Sequence, residues 1–143
     1  MKKNILLILV VSGLIIAGCS SGTVTSPFKF GKGTYKFTMS DSTGAELLRG
    51  SLIVLTYADG KISGTYEFTK ISDRDFPGFS SMQGEFSGDV SNTEKTVFIN
   101  TNPRIADSNV FWNLKIKNNS LSGNWNYSVF RGKTSGGKVK ITK

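Results

Sequence analysis

Beyond residue 32, apolar and polar residues alternate with a period of two along most of the chain, the pattern of strands whose successive side chains face opposite sides of a sheet. The clearest stretch is Asn109 to Phe130, NVFWNLKIKNNSLSGNWNYSVF. Asn118-Asn119 reads as a type I′ hairpin turn, because asparagine tolerates the positive φ that both central positions need. Pairing outward from it sets Ile116 opposite Leu121, Leu114 opposite Gly123, Trp112 opposite Trp125 and Val110 opposite Tyr127. One face is then apolar. The other is Asn, Ser and Lys, with Phe111 as its main exception. A slip of one residue sends both tryptophans into water, so the register is well specified.

The same period predicts further strands. Gly33, Tyr35, Phe37 and Met39 alternate with polar neighbours, and a second strand runs from about Leu47 to Tyr57. Asp59-Gly60, a strong hairpin signal, turns that strand into Lys61 to Thr69. The expected pairs there are Tyr57 with Ile62, Leu55 with Gly64 and Ile53 with Tyr66, with Phe68 continuing the inner face. After a longer connection, Ile71 to Ser81, alternation resumes over Met82 to Val90 and again over Val97 to Thr101. A glycine-rich turn at Arg131 to Gly137 leads to a last strand with Val139 and Ile141 inward. No helical period is present after residue 20. The predicted fold is all-β: eight short antiparallel strands in an up-and-down β-barrel, first strand against last, which removes exposed edges. A two-sheet sandwich is the other arrangement; the hairpin meander favours closure.

The N-terminus has a different character. Met1-Lys2-Lys3-Asn4 is basic, and Ile5 to Ala17 is apolar apart from Ser12 and Gly13. This run is shorter than the about 20 residues of a spanning helix and has the proportions of a signal peptide. It ends in Ile16-Ala17-Gly18-Cys19, which resembles the lipobox of bacterial lipoproteins. The resemblance implies cleavage before Cys19 and acyl chains on that residue, a lipid attachment site worth about 0.8 kcal/mol per buried methylene. The expected organisation is a signal peptide over 1–18, a lipidated N-terminus and tether over 19–31, and a β-barrel domain over 32–143. The expected address is the cell envelope, lipid-anchored to the membrane, in the outer membrane if the host is Gram-negative. Cys19 is the only cysteine, so no intramolecular disulfide supports the fold.

A short motif recurs as Gly33-Thr34-Tyr35, Gly64-Thr65-Tyr66, Gly84-Glu85-Phe86 and Gly123-Asn124-Trp125, with glycine and ring on one face. Gly33-Thr34-Tyr35 resembles the Gly-x-Trp opening of the lipocalins and related calycins. Ala58 to Glu67 is similar to the second hairpin of the avidins. Both resemblances imply a small eight-stranded barrel that holds a ligand within it. Phe68 stands where avidins carry a biotin-contacting serine, so biotin itself is not implied.

Two functions are open. In the first, the barrel interior binds a small apolar or aromatic ligand, with Tyr35, Tyr57, Tyr66, Phe68, Phe86, Trp112, Trp125 and Tyr127 as the candidate lining. In the second, those rings fill the interior, and the domain is an envelope interaction protein, an inhibitor or assembly subunit. Its candidate anchors are Phe76 and Phe79, beside Pro77-Gly78 in the long loop; the same two rings could instead close one mouth of the barrel. Catalysis is not expected, because the chain has no histidine and its one cysteine is assigned to lipid. No cofactor or metal is implied. Lys and Arg number 18 against 10 Asp and Glu, and Lys36, Lys115, Lys117, Lys138 and Lys140 all fall on outward positions. They read either as ordinary solvated lysines or as a basic flank toward anionic lipid or a cell-wall polymer. Nucleic acid is not an expected partner, given the compartment and the inward rings.

Overall fold

A computed structural model of the chain describes residues 29–73, 78 and 82–143. Its strands are β1 (Gly33–Asp41), β2 (Glu46–Ala58), β3 (Lys61–Lys70), β4 (Gln83–Ser91), β5 (Thr96–Asn100), β6 (Asn109–Lys117), β7 (Ser120–Val129) and β8 (Gly132–Thr142). They form one closed antiparallel barrel in chain order, and Lys36 to Asp41 of β1 pair with Gly137 to Thr142 of β8. The sandwich is thereby set aside. No helix occurs among the described residues.

The β6–β7 hairpin has the register that its alternation dictates, with Trp112 opposite Trp125 and Val110 opposite Tyr127. Its turn differs in detail. Asn118 alone takes positive φ (28°), so the type I′ form is not adopted there, whereas Asp59 (49°) and Gly60 (74°) both do at the β2–β3 turn.

Strand β2 corrects the sequence expectation. Tyr57 does oppose Ile62, but a bulge between Val54 and Thr56 leaves Leu55 without an opposite partner, 57% exposed. Past that extra residue the parity flips, so Val54 opposes Gly64, Leu52 opposes Tyr66, and Ile53 faces outward beside Thr65. A second irregularity, where Met39 opposes Leu48 but Ser40 opposes Glu46, lets Leu47 and Leu48 both be buried. The β7–β8 turn is also tighter than expected. Strand β8 begins at Gly132, and Gly136 and Gly137 belong to the ladder opposite Asn126 and Trp125. At Gly137 a Cβ would lie 2.8 Å from the Trp125 indole nitrogen, so glycine is what lets the ring cross the strand. From there the indole N–H donates to the Ser40 carbonyl at 2.8 Å.

The two ends of the barrel differ. The N-terminal segment, the C-terminus and the turns at 59–60, 92–95 and 118–119 lie at one end, here called proximal. The connections at 42–45, 101–108 and 130–131, with the described residues 71–73, 78 and 82 between β3 and β4, lie at the other, distal end. Phe30 closes the proximal end. It is 1% exposed, with its ring 4.8 Å from that of Tyr35, whose hydroxyl donates to the Gly31 carbonyl and accepts from the Gly31 N–H. The folded unit therefore includes Phe30, inside the stretch read from sequence as tether. At the distal end Gly78 packs closely against the barrel. A Cβ on Gly78, where φ is +106°, would lie 2.4 Å from Val110 and 2.7 Å from Tyr127. Asn102 fixes this contact by donating from Nδ2 to the Gly78 and Ser108 carbonyls.

Candidate functional site

Of the eight rings proposed as an interior lining, Tyr35, Tyr66, Phe68, Phe86, Trp112 and Trp125 are buried in one core cluster; Tyr57 and Tyr127 pack against it part-buried. They are brought together, but as filling. Trp112, Leu52, Ile99 and Ile141 expose no surface to water at all, and Trp125 only 2%. The four side chains at zero exposure adjoin no void of a water's size. The Phe37 ring lies 5.0 Å from Trp112, and Tyr66 stacks on Phe68 at 6.2 Å.

The polar tips of these rings go to structural partners. Tyr35 and Trp125 bond to backbone as described, and the Tyr57 hydroxyl accepts from Asn92 Nδ2 at 3.0 Å. Burial raises the Tyr66 phenol above its ordinary value of 10.0, because the charged form loses water. The Trp112 indole N–H is buried with no hydrogen-bond partner.

The candidate loop anchors Phe76 and Phe79 and the lipid site Cys19 lie outside the described residues. Other apolar residues take up the theme at the distal end. Six large apolar side chains are exposed among the described residues, and four of them, Ile71, Met82, Ile105 and Phe130, belong to distal connections or their edges. Phe130 is 84% exposed on a fixed backbone. Its N–H donates to Asp107 Oδ1 at 2.9 Å, and the same oxygen accepts from the Ser108 N–H at 2.7 Å. Asp107 thus ties the β5–β6 connection to the β7–β8 turn. Sequence reasoning passed over Phe130 because it closes a well-patterned strand; its one signal is an apolar residue on the two-residue turn before Gly132.

The outer wall is divided by charge. All ten carboxylates fall between Asp41 and Asp107, and residues 108–143 carry Lys115, Lys117, Arg131, Lys133, Lys138, Lys140 and Lys143 without one acidic residue. The ion pairs among the described residues accordingly fall before residue 108: Arg49 with Glu46 at 2.8 Å, Arg104 with Glu85 at 2.7 Å, and Lys61 with Asp89. Exposed pairs of this kind contribute about 0–1 kcal/mol each. Among the described residues, no group of acidic or cysteine side chains is arranged to hold a metal ion.

This fold and surface define a closed, eight-stranded antiparallel barrel with a filled interior. No family model, curated protein or solved structure matches the chain.

Proposed function

We propose that the protein is a lipid-anchored interaction module of the cell envelope, a rigid filled barrel whose distal end docks a second envelope protein. The observation that carries this reading is the collection of exposed apolar side chains at the end opposite the N-terminal segment, with Phe130 held out on a pinned backbone. A ring presented on a fixed backbone loses little entropy on binding, which is what interface anchors require. The lipobox-like Ile16-Ala17-Gly18-Cys19 supports attachment through Cys19, and the meander supports the likeness to calycin barrels. Anchored at Cys19, the chain would enter the barrel at its proximal end, opposite the distal connections.

Crosslinking in intact envelopes tests it. Phe130→Ser and Met82→Ser should each abolish capture of a discrete partner while leaving thermal unfolding unchanged, since both side chains are exposed. Capture unaffected by either change would remove the distal end as the docking surface. Cys19→Ala should release the chain from the membrane fraction.

A second reading, a small apolar guest held within the barrel, rests on the unpartnered Trp112 N–H. A guest would have to displace side chains to enter. Saturable quenching of intrinsic fluorescence by a fatty acid, with the fold retained, would favour it over the filled barrel.

A further inference from the structure

We infer that the outer face of β5 to β8, continued onto β1, binds a linear anionic glycan. A shallow groove of about 500 Å³ runs along this wall, with Lys115, Lys117, Lys138, Lys140, Asn113 and Asn124 in its lining and no carboxylate. Most of its polar side chains fall on two cross-strand rows, which continue past the groove to Thr96 and Phe98 on β5; Lys117 lies outside both rows. One runs Thr38, Lys140, Ser122, Lys115, Thr96 from β1 round to β5; the next runs Ser40, Lys138, Asn124, Asn113, Phe98.

The chemistry of those rows separates a glycan from other anions. Lys140 and Lys115 stand two strands apart, about 10 Å, a span comparable to a pair of extended sugar rings. Hydroxyl and amide side chains occupy the places between, and they offer donors and acceptors that a sugar hydroxyl can use. The second row reaches Phe98, whose ring stacks on Phe111 at 5.5 Å and 27° on the outside of the barrel; the next position in the row is Asp89, whose charge is paired with Lys61. An aromatic face beside amides and lysines matches the C–H face, hydroxyls and acid group of one repeat of such a polymer. Bare polyphosphate has no use for the ring, and a groove on a convex wall fits a chain better than it fits a flat lipid surface. Lys138 already donates to Asn124 Oδ1 at 2.9 Å, which places its charge over the groove. The absence of any acidic residue over 108–143 keeps the local potential positive. This site lies on the flank, so it stands apart from distal docking.

The full-length chain in zwitterionic micelles can be titrated with heparin, a sulfated glycan, at low salt and at roughly fourfold higher salt. Heparin should bind, more weakly as salt rises. The Lys138→Glu/Lys140→Glu pair should weaken binding by about tenfold or more, whereas Arg131→Glu/Lys133→Glu, with the same charge change on the β7–β8 turn, should stay within about twofold. Phe98→Ser should weaken heparin binding several-fold. It should leave binding of inorganic polyphosphate unchanged. Absence of heparin binding, equal losses in the two charge-matched pairs, or a Phe98→Ser variant as tight as the parent would overturn the assignment. So would displacement of heparin by polyphosphate as effective as displacement by unlabelled heparin, or any displacement by phosphatidylglycerol added to the micelles, at equal charge concentration.

Discussion

At the scale of single residues, the two tryptophans present the same surface to the core but different chemistry. Both are buried, yet only the Trp125 N–H has a partner, the Ser40 carbonyl. Replacing either by phenylalanine removes similar volume, while only Trp125→Phe also removes a hydrogen bond. Urea unfolding should therefore find Trp125→Phe less stable than Trp112→Phe by about 1–3 kcal/mol. Equal losses would mean that the Ser40 bond contributes nothing. Gly78→Ala combines left-handed φ with a Cβ inside the contact distance of Val110 and Tyr127. It should lower stability by about 1–3 kcal/mol. Tyr66 supplies a pH dependence. Its folded-state pKa is raised above the unfolded value, so its share of stability is complete below pH 10.0 and is lost as pH rises toward the folded pKa. Tyr66→Phe should flatten the alkaline fall in melting temperature. An unchanged alkaline limb in that variant would show that other groups govern it.

At the scale of strands, legibility follows from how cleanly the two faces differ. The β6–β7 hairpin can be read from sequence because Val110, Trp112, Leu114 and Ile116 alternate with residues that are polar apart from Phe111. Strand β2 cannot. Leu47, Leu48, Leu52, Ile53, Val54 and Leu55 put apolar residues on both parities, and only the bulge decides which set turns inward. In β8 the run Gly132-Lys133-Thr134-Ser135-Gly136-Gly137 has no apolar member, so nothing marks it as strand until the ring of Trp125 is seen to cross Gly137. Phe30 is illegible for another reason, since it lies before the alternation starts. The bulge makes a direct forecast for denaturation midpoints. Leu55→Ser should change stability by less than about 0.5 kcal/mol, while Leu52→Ala should cost about 2–5. The reverse order would restore the parity that the alternation alone suggests.

At the scale of the whole molecule, one closed sheet keeps three tasks apart. Its inner face holds apolar side chains from all eight strands together, its distal connections carry exposed apolar side chains, and residues 108–143 carry positive charge without acid. The candidate interior residues were legible as a group, since alternation alone places them together. Whether they line a space or occupy it was not, because that turns on fractions of an ångström in packing. The distal apolar end and the charge-divided wall emerge only after closure sets the strands in order.

The measurement that bears most directly on the filled barrel is proton exchange at the two indole N–H groups, the only two in the chain. Both should exchange with solvent only through global unfolding, at the free energy found by urea denaturation, and neither resonance should move when an apolar guest such as a fatty acid is added. An indole that exchanges at the rate of free tryptophan, or one that shifts saturably with the guest while the barrel stays folded, would contradict a filled interior.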